Sequence, residues 1–193
     1  MSTDPSVSDE ETDILDRIDR LRDPSQYRYL SGEELRALLD PDPDWIVADF
    51  GSGTGFYTDE IVPVVSKVYA IDLREEMHAE YRTSGLPSGV IPITADFADT
   101  PLPDDTLDGA ISTRTFHHGF ETALDELTRV LRSGGRLVIV DWSATGAGER
   151  DSPVEEDYFD LASVQTFLIE AGFRIHFAQE RRETFVVVAS VRA

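Results

Sequence analysis

The residues best equipped for chemistry gather around the stretch Asp49-Phe50-Gly51-Ser52-Gly53-Thr54-Gly55, which follows the apolar run Trp45-Ile46-Val47-Ala48. A carboxylate at the end of a buried strand is costly unless something pairs with it, and a ligand ammonium would do so. Three alternating glycines permit a tight strand-to-helix turn and close backbone approach. A tight turn alone would explain the glycines but not Asp49. Asp72 ends the next apolar run, 21 residues after Gly51. An acid there can accept both hydroxyls of a ribose, or it can cap the following helix. Asp96 and Phe97 end a third run; a small acid and an aromatic suit an adenine amino group and ring face, although Asp96 alone also reads as a cap or turn. One ligand carrying an amine, a ribose and an adenine accounts for all three acids.

A dinucleotide fits less well. The nicotinamide fingerprint G-x-G-x-x-G would need glycine at position 56, where Phe56 stands, and Asp49 also counts against an oxidoreductase. A protein that binds the nucleoside without catalysis remains a further alternative. The chain has no cysteine, which excludes disulfides, thiolate nucleophiles and Cys-built zinc sites. No carboxylate cluster suggests another metal.

These residues need elements to hold them. Residues 1–9 read as disordered, and Ile14, Ile18 and Leu21 recur at helical spacing from about Glu10 to Arg22, before Pro24. Ser31 opens a short helix that Asp40-Pro41 closes. Strands and helices then alternate: strands at Trp45–Phe50, Val68–Leu73, Val90–Ala95, Leu107–Ser112 and Arg136–Val140, with helices at about 55–65, Glu75–Thr83 and 122–132 between them. Asp160 caps another helix, which Gly172 ends. Strands at Phe173–Phe177 and Thr184–Val191 are joined too closely for a parallel crossover, so they form an antiparallel hairpin. Such alternation implies a mostly parallel sheet covered on both faces, with ligands at the carboxyl ends of its strands. That edge collects the glycine turn, Asp72, Asp96 and the segment after Ser112.

The motifs ADFGSGTG, VYAIDL, the ADF after the third strand and RVLRSGGRLVIVDW together resemble those of class I S-adenosylmethionine-dependent methyltransferases, with the small quinone-biosynthesis (UbiE-type) branch most similar. The resemblance runs over about residues 26–191. It implies a Rossmann-like, doubly wound α/β sheet of seven strands, order 3-2-1-4-5-7-6, with the last strand antiparallel. It also implies a methyltransferase domain over 26–193, behind an acidic, partly disordered and then helical segment at 1–25. S-adenosyl-L-methionine is then the cofactor and S-adenosyl-L-homocysteine the product. By the same resemblance Asp49 and Gly51, Ser52, Gly53, Thr54 and Gly55 hold the methionine part. Asp72 takes the ribose, Leu73 and Met77 flank the adenine, Asp96 and Phe97 bind it, and the backbone at Ser112 and Thr113 approaches the methionine amine.

The expected acceptor is a small molecule. Its pocket falls to Tyr27, Tyr29, Tyr57, Arg114, His117, His118 and Trp142 with the loop to Phe159, in a protein of unspecified oligomeric state, monomer or dimer. His117 and His118 are the candidate general bases, or else packing residues of the pocket. The segment after the fourth strand lacks the Asn/Asp-Pro-Pro-aromatic motif of base-amino methyltransferases.

Charge sets a further bound. The 193 residues carry 38 Asp and Glu against 17 Lys and Arg, a net charge of −21, and Lys67 is the single lysine. Phosphate contacts need clustered cations, so nucleic acid and anionic membrane are poor partners. No apolar run approaches the roughly 18 residues of a membrane span, and a cytoplasmic location is expected. Acids spread along the whole chain fit a protein adapted to high internal salt, where self-repulsion is screened. A thermal melt should therefore shift upward from dilute buffer to molar KCl; an unchanged melting temperature contradicts the salt adaptation.

Overall fold

The computed structural model describes Ile18, residues 21–145 and residues 158–192. The disorder expected of residues 1–9, most of the helix expected from Glu10, and most of the loop from Trp142 to Phe159 lie outside the described residues. Ile18, Leu21 and Arg22 are helical.

Seven strands form one sheet: β1 (Ile46–Phe50), β2 (Lys67–Asp72), β3 (Val90–Thr94), β4 (Leu107–Thr113), β5 (Leu131–Trp142), β6 (Phe173–Glu180) and β7 (Thr184–Val191). Their order is β3-β2-β1-β4-β5-β7-β6. The first five strands run parallel, while β7 pairs antiparallel with both β5 and β6. The chain therefore winds outward one way from β1 and the other way from β4. In open α/β sheets such a switch point, at the carboxyl ends of the two strands, is where ligands bind.

Both faces of the sheet are covered, which explains apolar runs where a half-exposed strand would alternate with polar residues. Leu137 and Ile139 of β5, with Phe185, Val187 and Ala189 of β7, pack into one core. Helices α4 (Phe120–Val130) and α5 (Leu161–Glu170) supply Leu124, Leu127, Val164 and Leu168 to it. The alternate residues Val138, Val140, Val186 and Val188 face the other core. There they meet Leu35 and Leu39 of α1 (Gly32–Leu39) and Ile61 of α2 (Thr58–Ile61). Each such side chain contributes about 1.5–3 kcal/mol when fully buried. A further helix, α3 (Glu75–Thr83), matches its expected bounds, with Glu75 and Glu76 in its first turn.

Strand β6 runs on to Glu180, three residues past its expected end, and the helix expected at 122–132 spans Phe120–Val130. Two further elements differ in kind. The helix expected at 55–65 is only the four-residue α2, because the glycine turn occupies the chain as far as Tyr57. Beyond Ile61 the chain tightens to a 3₁₀ turn at Val62–Val64, where Pro63 has no N–H to continue the α pattern. Strand β5 begins at Leu131 rather than Arg136. Leu131 already pairs with Leu107, and the register then shifts, with Gly134 at φ +79° absorbing the irregularity. Ser133-Gly134-Gly135 is thus a kink inside a strand.

The segment between β3 and β4 is tied down by Glu126 of α4. Its buried carboxylate accepts Thr100 N–H at 2.9 Å, Thr100 Oγ1 at 2.5 Å and Arg129 Nη2 at 2.6 Å. Burial pushes this carboxyl up, but the bonds from Arg129 and Thr100 outweigh it and hold the group below the usual range. Asp96 and Phe97 stand at the start of this anchored segment, just past the carboxyl end of β3.

Candidate functional site

At the end of β1, Asp49 is 1% exposed. Thr58 Oγ1 donates to its Oδ2 at 2.6 Å, while Oδ1 has no partner among the described residues. Burial pushes this carboxyl up to about 7; the Thr58 bond pulls it down and the Asp72 charge raises it further. Among the described residues no cation pairs with this carboxyl group.

The glycine turn beside it is fastened to the neighbouring strand. Gly51 and Ser52 N–H both donate to Ile71 O, at 2.8 and 2.9 Å, and Gly53 N–H donates to Asp72 Oδ2 at 2.9 Å. Asp72 Oδ1 accepts Arg74 N–H at 2.9 Å. Asp72 is therefore no N-cap, a place that Arg74 takes on α3 without a side-chain bond. Its carboxylate braces the turn, and each of its oxygens has capacity for a further hydrogen bond. All three glycines have positive φ, yet their surroundings differ. A Cβ at Gly51 would strike Thr115, and one at Gly55 would strike the Tyr81 ring. At Gly53 the nearest atom is Leu21 Cδ1, 3.6 Å away. Of the three, Gly53 alone has room for a Cβ, at ordinary contact distance from Leu21.

Other buried polar atoms without a described partner line the same edge: Ser52 Oγ, Thr54 Oγ1 and, from β4, Ser112 Oγ. Thr113 is buried next to Ser112, and Thr115 Oγ1 lies 3.4 Å from Gly51 O, closing the gap between the β1 and β4 loops. Beyond β2, Leu73 is 67% exposed whereas Met77 is 2% exposed, so of this pair only Leu73 presents a surface. Asp96 is exposed and accepts Ala98 N–H through Oδ1 at 2.9 Å; Phe97 is half-buried beside it.

Aromatic residues meet over the ends of β4 and β5. Arg114 has φ +55°, a left-handed conformation that costs about 1 kcal/mol or more for a non-glycine residue. Its guanidinium carbon lies 5.5 Å from the Tyr29 ring centre and 5.9 Å from those of Tyr57 and Trp142. Tyr29 meets Trp142 edge-on at 4.8 Å. Tyr57 donates its hydroxyl towards Gln26 O and Leu30 O, at 3.1 and 3.2 Å, and burial pushes its ionisation up to about 12. Tyr27 does not join them. It is 40% exposed, stacks on Phe56 and donates to Glu60 Oε1 at 2.5 Å.

His117 reaches the same edge but is held from behind. Its backbone N–H donates to Asp141 Oδ2 at 3.0 Å and its Nδ1 lies 2.8 Å from Asp141 Oδ1. An Nδ1–H bonded to the carboxylate makes Nε2 the ring's acceptor nitrogen. The His118 ring lies 4.0 Å from it and the Tyr158 ring 5.1 Å. Asp141, at 1% exposure, is a site residue missed in the sequence reading. Its signal was a lone acid in the apolar run Leu137-Val138-Ile139-Val140-Asp141-Trp142, the same signal that marked Asp49. Among the described residues no group of three or more His, Asp or Glu side chains could hold a metal ion.

Comparison with known proteins bears on the family and the fold. The methyltransferase-domain family model matches residues 48–139, from β1 into β5. An S-adenosylmethionine-dependent methyltransferase of Aquifex aeolicus is 32% identical, with a TM-score of 0.79 over 91% of this chain and 97% of its own. An uncharacterized methyltransferase of Geobacillus is 27% identical over 164 residues, 75% of this chain and 76% of its own. A Haloferax volcanii protein solved with the Trm112 methyltransferase activator shares the fold, with a TM-score of 0.79 over 94% of this chain and 97% of its own, at 15% identity. With 32% identity to such an enzyme over 91% of its length, and the same seven-stranded fold, the chain belongs to the S-adenosylmethionine-dependent methyltransferases.

Proposed function

We propose that the chain transfers the methyl group of S-adenosylmethionine to a small organic acceptor held over the carboxyl ends of β1, β4 and β5. The observation that carries the cofactor assignment is a run of buried polar atoms without partners among the described residues: Asp49 Oδ1, Ser52 Oγ, Thr54 Oγ1 and Ser112 Oγ. Buried polar atoms are nearly always satisfied, so such a cluster on one edge fits a polar ligand. Asp49 suits the methionine ammonium, and Asp72, with lone pairs spare, suits the ribose hydroxyls. Leu73, Asp96 and Phe97 suit the adenine. Bound S-adenosylmethionine supplies an already activated sulfonium methyl. The chain's part is then mainly to align the acceptor and exclude water.

For the acceptor, Tyr29, Tyr57 and Trp142 offer flat surfaces around Arg114, which fits a planar or apolar small molecule. His117, oriented by Asp141, can take a proton if the acceptor is a weak acid. A net charge of −21 disfavours a nucleic acid acceptor. By its motifs we place the chain near the quinone-biosynthesis branch, as a salt-adapted cytoplasmic enzyme whose catalytic domain spans residues 26–193.

The function is tested by incubating the protein and S-adenosylmethionine with low-molecular-mass cell extract and measuring S-adenosylhomocysteine. Release that depends on the extract and survives nuclease treatment is expected. Release only with nucleic acid or protein fractions overturns the small-molecule reading.

Asp49 makes cofactor binding pH-dependent. With its carboxyl raised to about 7, the ligand-free site is protonated below that pH, whereas a cationic ligand selects the carboxylate. Binding below about pH 7 should therefore release a proton, and affinity should rise with pH towards 7. Above about pH 8 it should fall as the ligand's own α-amine deprotonates. Calorimetry in buffers of different ionisation heat reads the proton directly. No release at pH 6, or an unchanged pH profile in Asp49→Asn, contradicts the assignment.

The ribose contact is separable from the brace that Asp72 gives the turn. Native protein should bind 2′-deoxy-S-adenosylhomocysteine at least about tenfold more weakly than the parent nucleoside, the equivalent of one charge-assisted hydrogen bond. Asp72→Ala should bind both less well and discriminate little between them. The damage to the turn is common to both ligands and cancels in the cycle. Additive losses would mean that Asp72 does not touch the ribose.

A further inference from the structure

The methionine half of the proposed ligand carries two opposite charges, and Asp49 answers only the ammonium. Its carboxylate needs N–H donors, and the turn has few to give. Gly51 and Ser52 N–H are spent on Ile71 O, Gly53 N–H on Asp72, and Gly55 N–H on Ser52 O. Four of the five backbone donors between Gly51 and Gly55 are thus committed inside the fold. Beyond the Thr54 N–H and the Ser52 and Thr54 hydroxyls, a side-chain cation is the natural partner for a carboxylate beside this turn.

We infer that Arg22 binds the carboxylate of the methionine moiety of S-adenosylmethionine, with Leu21 closing over the glycine turn; the inference rests on the cofactor reading above. Arg22 Nη1 donates to Thr54 O at 3.1 Å, which brings the half-buried guanidinium to the rim of the turn. A guanidinium has five N–H donors in a planar fork suited to a carboxylate. That one bond leaves most of the fork for a ligand. Leu21, the preceding residue, supplies the atom nearest to the place a Cβ would take on Gly53, 3.6 Å away. The two side chains thus stand on the ligand side of the turn, while Asp49 lies at its base.

Other cations nearby have different engagements. Arg36 pairs with Glu60 at 2.6 Å, Arg114 lies among the aromatic rings, and Arg28 stacks over Tyr29 with its guanidinium carbon 4.4 Å from the ring centre. Asp59 lies close enough to Arg22 to feel its charge, but its carboxylate accepts the Tyr81 hydroxyl at 2.5 Å. The Tyr57 hydroxyl, bonded to Gln26 O and Leu30 O, fixes the chain just after Arg22 against the domain.

The test is a binding cycle on the full-length chain with three ligands: S-adenosylmethionine, its decarboxylated analogue and 5′-methylthioadenosine. Native protein should prefer S-adenosylmethionine to the decarboxylated compound by at least about tenfold. Arg22→Met should lose that preference, with affinity for the other two ligands changed less than about twofold, and Arg22→Lys should keep part of it. Retained binding of 5′-methylthioadenosine shows that the variant's site is folded. Equal losses for all three ligands overturn the inference and leave Arg22 as a brace on Thr54. Unchanged S-adenosylmethionine binding in Arg22→Met also overturns it. Failure of the native protein to bind any of the three removes the cofactor reading, and this inference with it.

Discussion

An acid buried at the end of strand β1, with a single hydroxyl as its partner among the described residues, is the constraint around which this molecule is arranged. Burying a carboxylate without a cation costs several kcal/mol, and the protein relieves the cost by letting Asp49 keep its proton to about pH 7. A stable core would have no use for the group; an apolar residue would fill β1 better. A ligand that brings its own positive charge changes the sign of the effect, because the same low-polarity surroundings strengthen the attraction once the ion pair forms. The site is therefore tuned by what it lacks.

The rest of the fold holds that acid and its surroundings in register. Parallel pairing of β1 with β2 sets Phe50 beside Ile71, so Ile71 O and Asp72 fall beside the turn they bind. Pairing of β1 with β4 places Asp49 beside Ile111, which brings Ser112 and Thr115 to the other flank of the turn. The long β5 does the same for Asp141 and, through it, His117. These links are strand pairings and hydrogen bonds, which hold their partners to set distances and directions. The acceptor side differs in character: Tyr29, Arg114 and Trp142 meet through ring faces and edges, contacts that tolerate a change of shape more readily than a ladder of hydrogen bonds.

Much of this was legible in the sequence because it is written locally. A strand-end acid, alternating glycines and a second acid at fixed spacing are features of neighbouring residues, and the terminal hairpin follows from a connection too short to cross over. Strand order beyond that came from family resemblance rather than from any single run. Residues whose roles depend on distant partners were harder to find. Asp141 matters through His117, 24 residues away in the chain, and Arg22 through Thr54, 32 residues away. Tyr27 and Tyr29 look alike in sequence, yet in an irregular segment no periodicity fixes which side chain turns inward. The helix after the glycine turn read as too long because its apolar pattern continues through Val62-Pro63-Val64, where the missing proline N–H tightens the backbone. Solvent-facing arginines in an acidic chain are another blind spot, since their partners are set by tertiary proximity.

The central claim is that the Asp49 carboxylate, the glycine turn and Asp72 together receive one aminoacyl nucleoside. A crystal structure of the complex with S-adenosylhomocysteine tests it most directly. The account predicts the ligand amine about 3 Å from Asp49, or bridged to it by one water, with the ribose hydroxyls on Asp72 and the Gly53–Asp72 bond intact. A nucleoside bound elsewhere, or one that sits at the switch point while Asp49 still has no cationic partner, would contradict it.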